Sequence, residues 1–133
     1  MLSAEDIKWL EDLPYTLEFS MDGFNYGVCH MYAGYEIIGT PEAFDPFVRS
    51  HFGNNPTRLI FGHRHRQDGW WMTESRAWIS PGSLSYRRED DPGLGAQYAT
   101  IEDGHTHFKC ETYDMRPICE KIVSTPIALE GYC

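Results

Sequence analysis

Seven short strand-like runs separated by turn signals are the feature that most constrains this chain, because they leave room only for short helices. The turn dipeptides Asp22-Gly23 and Asp103-Gly104 follow two of these runs, and they are typical of tight turns between strands. The alternating or continuously apolar runs predict strands at 15–20, 26–32, 58–62, 70–73, 76–80, 97–102 and 105–113. We therefore predict a β-rich α/β protein.

Three short helices are predicted between and around these strands. Ser3 can cap the first one, with Asp6 completing a capping box, and Pro14 ends the segment. Thr40-Pro41-Glu42 begins the second with a capping residue, a proline at the first position and an acid in the first turn. Pro117 begins the third helix, which is predicted to run to Val123, and the rest of the segment 117–133 is tail.

Composition limits the classes of protein to consider. The 133 residues suit one soluble domain over 1–133, and 11 Lys and Arg against 20 Asp and Glu give a net charge of −9. This acidic balance disfavours a nucleic-acid partner. The sequence has no apolar run long enough for a membrane helix and no signal-peptide pattern at its start. With four cysteines and no CxxC spacing, we predict a cytoplasmic protein with reduced thiols and no membrane partner.

A His-x-His pair is the first candidate for chemistry. His63 and His65 follow the apolar run 58–62 directly. If the backbone stays extended there, both imidazoles point the same way from the end of a strand. Imidazole is the commonest metal ligand in proteins, so the pair predicts a metal site. Taken alone, the same spacing is also compatible with a solvated polar turn.

The order of several motifs resembles a known family. A strand ends at His30, Leu59-Ile-Phe-Gly62-His63-Arg64-His65 follows a helix, and Ile79-Ser-Pro-Gly-Ser-Leu84 comes next. This order is similar to the C-terminal half of the calcineurin-like metallophosphoesterases, over roughly residues 1–125, with the segment 2–14 resembling the helix after the family's Gly-Asn-His. The resemblance implies half of an αββα sandwich with mixed sheets and short helices.

The resemblance also implies ligands. His30 and His63 match the two histidines that bind one metal of a dinuclear pair, and His65 matches a ligand of the other. Such a pair, built from Mn, Zn, Fe or Ni, can clamp a phosphate ester and activate a bridging water. Arg87 or Arg88 can meet the phosphate, although a solvated loop is the alternative for both.

Two glycine positions complete the pattern implied by the resemblance. Gly62 is expected to allow a tight backbone turn at the end of its strand. Gly82-Ser83 is expected to bring a loop close to the site.

A second Gly-His-x-His motif occurs at 104–107. We reject it as the metal motif because it follows a hairpin turn and not an apolar strand, and no Pro-Gly-Ser comes after it. Its histidines, His105 and His107, are predicted to decorate a strand surface. A zinc site built from all four His-x-His residues is the alternative.

The sequence before His30 lacks the motifs of the family's N-terminal half, which are Asp-x-His, Gly-Asp-x-x-Asp and Gly-Asn-His. The resemblance therefore leaves no bridging carboxylate and no general acid, and the catalytic residues stay unassigned. Two interpretations remain. The chain is a metal-dependent phosphoesterase half completed by an N-terminal segment that is on a separate N-terminal-half chain or was removed from this sequence, or it is a non-catalytic remnant serving as a metal-binding, assembly or regulatory module. A homo-oligomer is the other partner that we expect.

Other conspicuous residues have simpler interpretations. Trp70, Trp71 and Trp78 are predicted to lie in a sheet core or an interface. Cys29 is predicted to be a buried small residue, and alternation along the strand opposes a nucleophilic pair with His30.

Overall fold

The computed structural model describes residues 2–32, 34–85, 90, 95–114 and 116–124, with the backbone alone at 118, 119, 122 and 123. Arg87 and Arg88, as well as the tail 125–133, lie outside these residues. The elements are α1 (Ala4–Glu11), β1 (Thr16–Met21), β2 (Phe24–Cys29), α2 (Pro41–His51), β3 (Arg58–Phe61), β4 (Gln67–Trp71), β5 (Ala77–Pro81), β6 (Gly95–Glu102), β7 (His105–Thr112) and α3 (Arg116–Ser124).

Five strands form one mixed sheet in the order β1-β2-β3-β5-β4. The central strands β2, β3 and β5 are parallel, whereas β1 and β4 pair antiparallel at the two edges. In the register, Gly27 of β2 lies opposite Leu59 of β3, which lies opposite Trp78 of β5. The mixed sheet and short helices confirm the predicted α/β class.

Helix α2 covers one face of this sheet. It begins where predicted, with Thr40 accepting a hydrogen bond from the backbone N–H of Ala43. Its amphipathic pattern places one apolar stripe against the strands. The core that results is rich in aromatic rings and consists of Cys29, Ile38, Phe44, Phe47, Val48, Phe52, Leu59, Phe61 and Trp78.

The β6–β7 hairpin forms a separate two-stranded sheet that is anchored to β4 and to the residues after β5. The side-chain amide of Gln67 donates to the carbonyls of Tyr98 and Lys109, at 2.8 and 2.7 Å. The backbone N–H of Gln97 donates to the carbonyl of Ser83 at 2.9 Å. Among the residues that the structure describes, this hairpin is the second sheet.

Helix α1 and strand β1 leave apolar side chains uncovered. The capping box predicted at Ser3 and Asp6 forms, yet no residue of α1 is buried. The exposed apolar side chains of this region, which we call the α1–β1 surface, are Leu2, Ile7, Trp9, Leu10, Leu13, Tyr15 and Leu17. None of the helices in the described ranges is long and apolar enough to span a membrane.

The three tryptophans of the sheet differ in exposure. Trp78 is fully buried in the core, whereas Trp70 and Trp71 are exposed on the edge strand β4. Trp71 contacts Phe108 of the hairpin with ring centres 6.4 Å apart. Only Trp78 therefore lies wholly inside the sheet core, and Trp71 helps to join the two sheets.

Candidate functional site

The carboxyl ends of three neighbouring parallel strands define the candidate site. His30 follows β2, Gly62 and His63 follow β3, and Gly82 follows β5. Because parallel strands end on the same edge of a sheet, the three motifs picked out in the sequence meet there. We call this part of the structure the histidine edge.

His30 and His63 are held together by the backbone. The N–H groups of Gly62 and His63 both donate to the carbonyl of His30, at 3.1 and 2.9 Å. The two imidazole rings lie edge to face with their centres 5.5 Å apart, and both are exposed. The pairing of these two histidines is thus a direct result of the β2–β3 register.

Gly62 has a different role from the one expected. Its φ angle is not among the positive ones, so no left-handed turn requires a glycine here. A Cβ atom at this position would instead lie 3.2 Å from Nδ1 of His30. The missing side chain makes room for the His30 ring across the end of β3.

His65 reaches the site by a turn and not by strand alternation. Its φ angle of 55° is left-handed, so the expectation of an extended His63-Arg64-His65 segment is wrong. The ring of His65 still lies 6.3 Å from that of His63, measured between centres. The His63 ring therefore lies near the rings of both other histidines.

Arginines that the motifs did not single out are the chain neighbours of His65. Arg64 lies between the two histidines, pairs with Asp68 at 3.6 Å and stands 5.9 Å above the Trp78 ring. Arg66 forms a salt bridge with Asp90, which joins the loop after β5 to the residue that follows His65. The only sequence signal for these pairs is the four-residue spacing of Arg64 and Asp68.

The donor set fits a divalent ion in part. Two imidazoles on one ion have ring centres about 5 Å apart, since a metal–nitrogen bond is about 2.1 Å long. The 5.5 Å between His30 and His63 is close to this separation, while the 6.3 Å between His63 and His65 is longer. Within the described residues, no group of three or more His, Cys, Asp or Glu side chains is placed to hold one ion.

The second Gly-His-x-His motif lies elsewhere. His105 and His107 line a cavity together with Arg58, the first residue of β3, whereas His63 follows the last residue of that strand. Asp103 and His105 also spell Asp-x-His, but Asp103 lies in the tight turn between β6 and β7 and His105 is the first residue of β7. A zinc site shared by all four His-x-His residues is therefore not formed.

Cys29 precedes His30 but faces the core. Its side chain is buried, and this burial raises the pKa of the thiol from 9.0 to about 12. A thiol that keeps its proton at neutral pH is a poor nucleophile. The sequence interpretation of Cys29 as a small core residue agrees with its position in the core.

No family profile and no characterised protein sequence matches the chain. Among solved structures it is similar to the hypothetical protein PH1004 from Pyrococcus horikoshii OT3, with a TM-score of 0.66, 18% identity, and coverage of 90% of this chain and 48% of that one. It is also similar to a metallophosphoesterase from Sphaerobacter thermophilus, with a TM-score of 0.63, 20% identity, and coverage of 92% of this chain and 56% of that one.

These likenesses bear on the fold alone. The chain has a metallophosphoesterase-type fold, and it spans about half the length of these two structures, 48% of one and 56% of the other.

Proposed function

We propose that the chain supplies the C-terminal half of a metal-dependent phosphoesterase site, which another polypeptide segment completes. One observation carries the proposal: His30 and His63 meet at the carboxyl edge of a parallel sheet in a metallophosphoesterase-type fold, with rings 5.5 Å apart. The substrate class is a phosphate ester.

A divalent ion of Mn, Zn, Fe or Ni at such a site would supply Lewis acidity toward a phosphoryl oxygen. The chain's own residues prepare for it. The hydrogen bonds of Gly62 and His63 to the His30 carbonyl hold the backbones that carry the two rings next to each other. The histidines supply no negative charge, so in this proposal the carboxylates that balance the ion, and the acid that protonates the leaving group, come from the second segment.

The metal assignment is tested with two matched double variants. In His63→Ala/His65→Ala we expect Mn or Zn affinity to fall at least about tenfold, because two of the proposed imidazole ligands are removed. The control His105→Ala/His107→Ala removes the same side chains from the other motif, and its affinity should not change. Isothermal titration and metal analysis provide the measurement. Metal retained in the first variant and lost in the second contradicts the assignment.

The isolated chain is expected to show no metal-dependent turnover of a phosphodiester such as bis(4-nitrophenyl) phosphate. Losing one strong transition-state contact costs about 100-fold or more in rate, and several groups are missing here together. The assay is run with and without Mn and over a range of protein concentrations. Mn-dependent hydrolysis in a pure preparation, with a specific activity that does not change with protein concentration, would contradict the half-site proposal.

The alternative, a non-catalytic metal-binding or assembly module, predicts a different result when the second segment is added. An adjacent reading frame encoding Asp-x-His and Gly-Asn-His favours the half-enzyme, and co-expression of its product should then create activity. If such a segment binds the chain and no hydrolysis appears, the assembly module is the better description.

The α1–β1 surface supports the proposal of a partner. Its apolar side chains, exemplified by Trp9 with 63% of its surface exposed, have no covering element in the described residues. Uncovered apolar surface and free strand edges favour association. We propose that a second copy of the chain, or an N-terminal-half chain when present, covers this surface.

Light scattering at micromolar concentration tests this assembly. We expect the pure chain to show a mass above 15.4 kDa that rises with concentration. The variant Trp9→Glu should reduce it, since a charge is placed in the interface, whereas Trp70→Glu changes an exposed tryptophan on the opposite edge strand and should not. A constant monomer mass for the unmodified chain contradicts the association.

A further inference from the structure

A cavity of about 620 Å³ lies at the end of the sheet opposite the histidine edge. The start of β3, the turn between β1 and β2, the segment between β4 and β5 and the turn between β6 and β7 surround it. Its lining includes Phe24, Arg58, Trp71, Glu74, Asp103 and Thr106. Arg58 at the cavity and His63 are five residues apart, a separation of up to roughly 16 Å at about 3.3 Å per residue.

Arg58 is the unusual member of this lining. Its side chain is 4% exposed, and its guanidinium lies 3.5 Å above the centre of the Phe24 ring. It donates to the Gly104 carbonyl, to the Tyr26 hydroxyl at 3.2 Å and to the Glu74 carbonyl at 3.4 Å. These partners are all uncharged, so among the described residues the buried positive charge is offset by dipoles and by the faces of Phe24 and, at 5.8 Å, Tyr26.

Two buried polar atoms at the cavity have no hydrogen-bond partner in the described part of the chain. They are Nε of Arg58 and Oγ1 of Thr106. The Asp22 carboxylate reaches the same turn, but it accepts from the backbone N–H of Gly104 at 3.0 Å. Buried cations are normally paired with an anion, and buried donors are normally satisfied, so this arrangement is incomplete as it stands.

We propose that this cavity binds a small aromatic carboxylate, with the carboxylate directed to Arg58 and the ring placed against Trp71 and Phe24. An arginine supplies charge-assisted hydrogen bonds to a carboxylate. The Trp71 indole offers an exposed aromatic wall for a flat apolar body. A cavity of about 620 Å³ has the size of a small-molecule site.

The charged residues around the cavity determine which ligand charge is favoured. Glu74 and Asp103 also line the cavity, and both residues are exposed, so solvent screens their repulsion of a ligand. The buried charge of Arg58 is screened much less. A ligand with a single negative charge is therefore favoured. A dianion would be attracted by one buried cation and repelled by two carboxylates. This site is independent of metal binding and of the phosphoesterase proposal.

The test is a titration of the full chain with benzoate in buffer free of divalent ions, followed by NMR of the Trp71 indole and of the amides of residues 105–107. We expect saturable shifts at these positions. Benzyl alcohol, which has a similar ring without the charge, should bind at least about tenfold more weakly. Isophthalate, a dianion, should also bind more weakly than benzoate.

Variants locate the interaction. Arg58→Met should weaken benzoate binding at least about tenfold, while Arg49→Met makes the same change at an exposed arginine of α2 and should have no effect. If Arg58→Met does not fold, Trp71→Leu is the variant that tests the proposal. The Trp71 side chain is exposed, and its loss removes the aromatic wall of the cavity. The proposal is overturned by the absence of saturable shifts, by equal binding of benzyl alcohol or isophthalate, or by unchanged affinity in a folded Arg58→Met or Trp71→Leu variant.

Discussion

The substitution Phe47→Ala is expected to lower the free energy of unfolding by about 3–5 kcal/mol, the range for removing a large buried ring. Phe47 is 1% exposed and lies at the centre of the aromatic core. Its ring centre lies 5.6 Å from that of Phe61 and 5.2 Å from that of Tyr32. It also packs at 4.6 Å on His51, the last residue of α2. Removing the ring leaves a cavity between α2 and the sheet.

Urea unfolding followed by circular dichroism measures this loss. Phe108→Ala is the matched control, since Phe108 is 37% exposed and contacts Trp71 at the sheet–hairpin junction. Its loss should reduce the free energy of unfolding by about 1 kcal/mol. Similar losses in the two variants would mean that Phe47 is not at the centre of the core.

The second large effect is expected for Gly82→Ala, which we predict to destabilise the protein by about 2–5 kcal/mol. Gly82 has a φ angle of 90°, a conformation that costs an alanine about 1–2 kcal/mol. Its Cβ would also lie 2.5 Å from Cβ of Gln97, so the hairpin must shift, which adds about 1–3 kcal/mol. The glycine of the Pro-Gly-Ser motif is therefore required by the packing of β6 against the end of β5.

Gly23→Ala separates the two contributions. Gly23 also has a positive φ, 79°, but a Cβ there has no neighbour within 4 Å. Only the backbone strain should appear, about 1–2 kcal/mol. Urea unfolding gives both values, and hydrogen exchange of the β6–β7 amides should increase in Gly82→Ala alone. Equal destabilisation by the two substitutions would show that the contact with Gln97 is unimportant.

Local sequence signals predicted the elements of this fold well. The dipeptides Asp22-Gly23 and Asp103-Gly104 form tight turns with positive φ at both residues, as their composition requires. The helix starts at Ser3 and Thr40 form because a side-chain oxygen satisfies a free N–H within a few residues. Each of these signals depends only on neighbours along the chain.

Features that depend on distant residues were predicted less completely. The order of the motifs correctly predicted that His30 and His63 lie close together. The alternation pattern predicted the wrong backbone conformation at His65, because the chain leaves the sheet immediately after Phe61. The role of Gly62 depends on a ring from another strand. The Arg58 cavity has four separate segments around it, and nothing near Arg58 in the sequence indicates it.

The parallel pairing of β3 has a consequence for how the chain folds. The tight turns let β1 join β2 and let β6 join β7 on a timescale of about microseconds. Strand β3, however, pairs with β2 through residues 32 positions apart, such as Tyr26 and Arg58. The loop between β2 and β3 must close before the apolar contacts between α2 and the sheet can stabilise the fold. The pairing of β3 with β2 should therefore limit the folding rate. Until then the two hairpins present unpaired edges, and this is the interval in which a nascent chain is most exposed to aggregation.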